Sequence, residues 1–447
     1  MDIPESLSRL PRRFPATVVV FLLTFIVAVP VGAALNPGEP ERGSVIFIHP
    51  DGAAVTHWTA LRLVDRGPDG LTAWDQLDRM GLYRGHPTDS ITSSSHAGAT
   101  THAFGKKVLR DSYGMNGTEP LTALSGAPHS IAIEAHKAGI PTGIVNSGHI
   151  AEPGTGVFAA SHTSRGDRTI IAAKILESGL PLIFSGGERY LLPAGEQGFH
   201  GAVGVREDGR NLVAEAEAAG YTVVYHRKQL EALDPAQPEK VLGVFAAEHT
   251  FFAEPEEVLA AAGLPLYIDT APTFGEMTAF AIEFLAAKGR PFFLVAEEEG
   301  ADNFPNNGNA SGMLEALRRS DAAIRSAVDY IAEQPDTLLV VAADSNAANP
   351  ALTSIRNDRA DQPLPTHDRT GAPIDGRNGP GSLPFQTAPD ARGNRLPFAI
   401  VWPGYGDVHG GVIARAHGLN SGLLPMHVQN TDIYRLMYAT LFGKVLD

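Results

Sequence analysis

Short apolar runs alternate along the chain with longer stretches in which apolar residues recur every three or four positions. The runs Ser44–His49, Thr142–Asn146, Leu182–Ser185, Thr222–Tyr225, Val241–Phe245, Phe292–Ala296, Leu338–Ala343 and Pro397–Trp402 read as strands. SIAIEAHKAG, DRTIIAAKILESG, GRNLVAEAEAAG, GEMTAFAIEFLAAKG and SGMLEALRRSDAAIRSAVDYIAEQ read as amphipathic helices between them. Alternating β and α units predict a mostly parallel sheet with helices on both faces, an α/β fold of three layers. Asn346–Arg395 fits no element. It is rich in Pro, Gly, Asn and Asp, and so long a loop in a compact domain is usually functional or mobile. No internal repeat or low-complexity linker breaks the chain, so residues 35–447 read as one catalytic α/β domain with loop insertions.

The N-terminus changes the picture. Arg9, Arg12 and Arg13 precede an uncharged run, Phe14–Leu35, with VGAA near its end. A basic start, an apolar stretch and small residues describe a secretory signal over residues 1–34. A retained anchor is the competing reading, because the run approaches spanning length. PRRF resembles a twin-arginine signal, though Pro11 and Pro15 flank it. Either way the chain is expected outside the cytoplasm, periplasmic or extracellular. The chain has no Cys, hence no disulfide and no thiolate chemistry. Its net charge is −15. An acidic surface argues against nucleic acid as a partner, and an anionic substrate then needs a local positive site.

Candidate chemistry gathers at strand ends. SVIFIHPDG puts Asp51 after one strand, FFLVAEEEGAD puts Glu297 and Asp302 after a second, and LLVVAADSN puts Asp344 after a third. Ligands of open α/β sheets bind beyond the carboxyl ends of the strands. A single acid there reads best as a cap on the next helix. Four acids at three strand ends read best as one site, where unpaired carboxylates would repel and divalent cations would neutralise them. TDSITSSSHAGATTHAFGKKV adds a Ser/Thr cluster leading into small residues at helical spacing. Backbone N–H groups at such a helix start face an anion, and a Ser there could attack phosphorus beside a metal. Arg165, in AASHTSRGDR, has the planar fork that binds two phosphate oxygens.

In this order the motifs resemble the alkaline phosphatase family over nearly the whole chain beyond the leader. The resemblance implies the three-layer α/β/α sandwich and hydrolysis of small phosphate monoesters with two or three divalent ions. DG at Asp51–Gly52 is similar to the first-strand metal ligand, and SSSHAGATTHAFGKK to the nucleophile helix. Aligning Gly105 places Ser95 as nucleophile, with Ser90 and Ser94 as rivals. HTSR ends at Arg165 in the place of the phosphate clamp. Glu297 and Asp302 keep the spacing of two metal ligands, Asp344 that of a third, and HIAEPG puts Glu152, with His149 close by, near the magnesium site. The resemblance implies Asp302, Asn306 and Asp390 on one metal, Asp344 and Asp51 on a second, and Asp51, Glu297 and Glu152 on a third.

The match breaks at three histidines of the family. Asn306, Ser345 and, nearest the third place, Asp390 stand there instead. Oxygen ligands suit Mg, Ca or Mn, whereas the resemblance implies Zn. His96, His149, His367 or His409 could still enter the site from other loops. His96, next to Ser95, reads either as a phosphate contact or general acid or as a helix-start hydrogen bond. His102, at helical spacing from His96, reads as packing. A phosphodiesterase or phosphonate hydrolase on the same scaffold would bring Thr92 or Thr100 forward as nucleophile, and an exported calcium-binding protein is the non-enzymatic alternative. A homodimer stays open. G-x-S-x-G, P-loop and HExxH motifs are absent, as is the C/S-x-P-x-R setting of sulfatases, and GTGVFA follows a Pro loop rather than a strand, which excludes a dinucleotide turn.

Overall fold

The segment SVIFIHP is buried over its whole length, so neither of its faces meets water. Val45 and Phe47 enter one hydrophobic core and Ile46 and Ile48 another, as the two-residue period of a strand requires. The computed structural model describes residues 39–447; the expected leader at 1–34 lies outside them.

Ten strands form the central sheet: β1 (Ser44–Pro50), β2 (Arg79–Arg84), β3 (Thr142–His149), β4 (Leu182–Gly186), β5 (Tyr221–Val224), β6 (Lys240–Val244), β7 (Phe293–Glu298), β8 (Thr337–Val341), β9 (Ile413–Gly418) and β10 (His427–Gln429). Their order is β10-β2-β9-β8-β1-β7-β3-β4-β6-β5. Only β9 runs antiparallel to its neighbours. Helices Ser95–Phe104, Ile131–Lys137, Pro153–Ala159, Arg168–Glu177 and Asn430–Phe442 pack on the Val45/Phe47 face. Val55–Asp65, Phe274–Lys288 and Ala310–Glu333 pack on the other. The result is the expected three-layer α/β/α sandwich.

Two expectations need correction. Pro397–Val401 does not join the central sheet. It pairs antiparallel with Ala351–Ser354, Ile374–Gly376 and Phe385–Gln386 in a separate small sheet around Leu364, Ile374, Ala399 and Val401. Asn346–Arg395 is therefore not structureless; its Pro- and Gly-rich stretches are turns between very short strands. Conversely, β2 and β9 are hard to read as strands, because polar residues and Gly81 interrupt their alternation.

For function, the decisive feature is the order β8-β1-β7-β3. It sets the ends of four parallel strands side by side, with β1 paired to β7 from Val45↔Phe293 to Pro50↔Glu298.

Candidate active site

Asp51, Glu297, Glu299, Asp302 and Asp344 are buried together beyond these strand ends. Within β7, Glu297 continues the face of Phe293 and Val295, towards the helix Pro153–Ala159. Glu298 points to the opposite face, where Ser147 Oγ, Tyr267 OH and the Gly300 N–H donate to its Oε1 at 2.9, 2.9 and 3.2 Å. Glu299 then turns back towards Asp302. Buried polar oxygens are normally all paired. Here both oxygens of Asp51, both of Asp344, and one each of Glu297, Glu299 and Asp302 have no protein donor. Burial, followed by the charge of neighbouring acids, drives Glu297, Glu299, Asp302 and Asp344 well above the usual carboxylate range. Burial also pushes Asp51 up, but the His49 imidazole 3.3 Å away outweighs it and brings Asp51 down to about 2. Orphaned, buried oxygens in this number fit divalent cations. Ligand atoms of His49, Asp51 and Glu297 lie within 4.8 Å of one another, and so do those of Asp51, Glu299 and Asp302, so Asp51 belongs to both groups.

Close packing seats the acids. Gly52 has φ +65°, and a Cβ there would fall 2.6 Å from Asp302 Oδ1. A Cβ at Gly98 would fall 2.6 Å from Asp344 Oδ2, and one at Gly154 would overlap the Glu297 carboxylate. Glycines on the helices Ser95–Phe104 and Pro153–Ala159 thus let two helix starts press directly onto metal-ligand candidates.

Ser95 opens its helix, 7 % exposed, with its hydroxyl beside Asp51. Its rivals are occupied. Ser94 is the helix cap: its Oγ accepts from the Ala97 N–H at 3.3 Å and donates to Arg110 O at 2.6 Å. Thr100 lies a turn deeper, donating to Ser112 O at 3.0 Å and accepting from the Gly114 N–H at 2.8 Å. Ser90 and Thr92 sit in the preceding loop, where Ser90 Oγ accepts from the Thr92 N–H. Arg165 reaches in from the other side, with 43 % of its side chain open to solvent. It donates to Glu152 Oε2 at 3.4 Å and to His96 Nδ1 at 3.3 Å. His96 is thereby turned towards Arg165 and, through Nε2, towards Asp111 at 3.5 Å. Burial and then Arg165 lower it to about 4. Its ring lies against the arginine, in place to orient it.

Several expected ligands stand elsewhere. Asp390 is exposed and closes its own turn, accepting from the N–H groups of Arg392 and Asn394 at 2.8 and 2.7 Å. The adjacent Ala391 N–H binds Asp69, just beyond the far end of the helix that starts after Asp51. Eleven residues at 1.5 Å rise put that end about 16 Å from the site. Asp407 occupies the site in its place. Pairing of Asn346–Ala347 with Asp407–Val408 brings it beside Asp302 and Ser345. Asn306 is present but does not offer an oxygen: its Nδ2 donates to Asp302 Oδ2 at 2.9 Å and Asp407 at 3.3 Å, while its Oδ1 accepts from the Gly406 N–H at 3.0 Å. It ties two acids together. Glu152 turns its oxygens to His149 (2.9 Å) and Arg165, while its charge still acts on Glu297 and Glu299. His49 joins Asp51 instead, its Nδ1 donating to Ala342 O at 2.7 Å and its Nε2 3.3 Å from Asp51, so the donor set is oxygen with one imidazole. His102 packs, as expected, with Tyr83 OH 2.6 Å away. Asp407, Glu299 and His49 are the site residues that sequence reasoning misses. Glu299 directly follows β7 in the same acidic run as Glu297, and His49 sits two residues before Asp51; Asp407 depends on a pairing across 60 residues of chain.

The sandwich, with a serine at a helix start over carboxylates at the sheet's end, defines a class of hydrolases that act at phosphorus. The chain belongs to the alkaline phosphatase family, whose model matches residues 43–360. That membership makes it a phosphoric monoester hydrolase. It is 25 % identical over 467 residues to the membrane-bound alkaline phosphatase of Bombyx mori, covering 92 % of this chain and 82 % of the relative. It is 27 % identical over 386 residues to streptomycin-6-phosphate phosphatase of Streptomyces griseus, covering 77 % and 82 %. In fold it is similar to a variant of the alkaline phosphatase from the Antarctic bacterium TAB5 with Mg bound in its M3 site (TM-score 0.67, 19 % identity, 90 % of this chain and 99 % of that one). No helix among the described residues is long and apolar enough to cross a membrane.

Proposed function

We propose that this chain hydrolyses phosphate monoesters outside the cytoplasm by a cation-dependent route through Ser95. The observation that carries the reading is the set of unpartnered, buried carboxylate oxygens around Asp51, within reach of a serine at a helix start. His49, Asp51 and Glu297 would hold one cation, Asp51, Glu299, Asp302 and Asp407 a second, and Asp344 with Asp51 would face a third beside Ser95. Mg, Ca or Mn fit the oxygens, and His49 admits Zn. Bound there, the cations would favour the serine alkoxide and neutralise charge developing on phosphorus.

Arg165 holds two non-bridging oxygens of the substrate phosphate, and the first N–H groups of the Ser95 helix face the same charge. His96 and Glu152 keep the guanidinium flat across that position. Ser95 Oγ attacks phosphorus in line. The Oγ–P bond forms as the P–O ester bond breaks, and the departing alkoxide takes up a proton as the alcohol. Water then attacks phosphorus, the P–Oγ bond breaks, and Ser95 recovers its proton as inorganic phosphate leaves.

The test is p-nitrophenyl phosphate hydrolysis after EDTA stripping, with Mg, Ca, Mn, Zn and Co restored singly and in pairs. Activity regained with Mg, Ca or Mn supports the oxygen-ligand reading. Recovery with Zn alone overturns it. Cleavage of a diester in preference to the monoester moves the proposal to the phosphodiesterase reading.

A further inference from the structure

The carboxyl edge of the sheet holds a second group of metal-binding side chains, two strands away from Asp51. β3 ends at His149, and the loop after β6 brings Glu248 and His249 against it. The backbone fixes this junction: the Ile150 N–H donates to Gly186 O at 3.1 Å, and the Glu188 N–H to Ala246 O at 3.0 Å. The register of β3 against β4 slips between Val145 and His149, and that irregularity re-aims the histidine. Gly187, at φ +90°, clears space beside it; a Cβ there would fall 3.0 Å from His149 Cβ.

We infer that His149, Glu248 and His249 form a separate cation site, suited by its two imidazoles to zinc or a similar first-row metal. Their ligand atoms lie within 4.8 Å of one another. Ligands of a tetrahedral zinc at 2.0–2.1 Å stand about 3.3 Å apart, so a side-chain adjustment closes the group. The independent sign is unmet demand. His149 is buried, and its Nδ1 has no hydrogen-bond partner; nor does His249 Nδ1. Such atoms are normally paired. The rings stack at 5.1 Å and 20°, with Tyr190 edge-on to His149 at 5.1 Å, which holds both imidazoles in one place. Every other charged or polar neighbour is a potential competitor or support. Glu152 Oε1 lies 2.9 Å from His149 Nε2 and offers a fourth ligand. Tyr190 OH donates to Glu248 Oε1, and Arg168 and Arg189 lie 3.6 and 3.5 Å from the Glu248 carboxylate, leaving it partly neutralised. Imidazole nitrogen discriminates this site from the oxygen cluster around Asp51, so the two should load with different metals.

The measurement is metal content per chain after saturation with zinc and exhaustive dialysis, for the wild type, His249→Ala and Glu248→Gln. His249 and Glu248 are only half-buried, so neither change empties the core. The site predicts loss of one equivalent of zinc in His249→Ala. It also predicts that the zinc-induced rise in melting temperature shrinks in Glu248→Gln, while the rise induced by magnesium is unchanged. In a cobalt-loaded protein, His249→Ala should remove one set of visible bands. Equal zinc content and equal zinc-induced rises in all three proteins would overturn the assignment and leave the group as a stacked aromatic wall. Neither readout requires phosphatase activity, so the outcome stands apart from the role proposed for Ser95.

Discussion

Ser94 caps its helix, and the role proposed for its neighbour Ser95 is a different one, so the two are separable by measurement. Ser94→Ala removes a helix cap and should cost about 1 kcal/mol of stability while a phosphoserine still forms. Ser95→Ala should leave the melting temperature nearly unchanged and lower turnover by roughly 10³-fold or more. Trapping phosphoenzyme in acid and mapping the modified peptide separates the two. Gly98 sets local preference against the site. Alanine at an exposed mid-helix glycine stabilises by roughly 0.5–1 kcal/mol. Here its Cβ would press on Asp344. Gly98→Ala should therefore displace that carboxylate and lower kcat by on the order of 10²-fold, read in a steady-state assay beside a melting curve.

At the scale of elements, the small sheet carries its own titration. Trp402 Nε1 donates to Asp375 Oδ2 at 2.8 Å, and the other oxygen is unpartnered. Burial, against that hydrogen bond and with Glu256 nearby, raises Asp375 to about 7 from an ordinary 3.8. Between these values the folded chain holds a proton that the unfolded chain has lost. Stability is thus greatest below the lower value and falls as pH rises towards 7. Asp375→Asn keeps an acceptor for Trp402 and has no proton to lose. Its melting temperature should exceed that of the wild type at pH 8 and approach it at pH 4. Across that window the two proteins should diverge by about 1.4 kcal/mol for each pH unit.

The same scale shows what the sequence made legible. Seven of the eight runs read as strands lie in the central sheet, because buried parallel strands are written as continuous apolar stretches. Asp51, Glu297, Asp302 and Asp344 converge because three such strands are neighbours, as their common ending suggests. Asp390 is merely the acid nearest in sequence to a missing histidine. Asp407 is invisible because two-residue strands leave no periodic trace. Asn306 has the right address, but only the positions of Gly406 and Asp407 reveal that its amide is already spent.

For the whole molecule, the balance of charge at the sheet's end decides behaviour. Arg165 is one guanidinium facing several buried acids. Neutralisation must otherwise come from protons or from bound cations. Removing divalent ions with EDTA should lower the melting temperature at neutral pH, and magnesium or calcium should restore it even in Ser95→Ala, where no turnover can interfere. An unchanged melting curve would mean that the acids simply stay protonated.

Asp51, shared by two groups of ligand atoms, gives this dependence a practical edge. Free ligand at a hundred times its Kd adds about 2.7 kcal/mol to a fold, a large share of what holds a typical domain together. If cations fill these groups as proposed, the chain would not own a fixed melting temperature; it would report the hardness of the water around it. Two preparations of identical sequence, one passed through a chelating buffer and one not, would then look like a sound protein and a defective one.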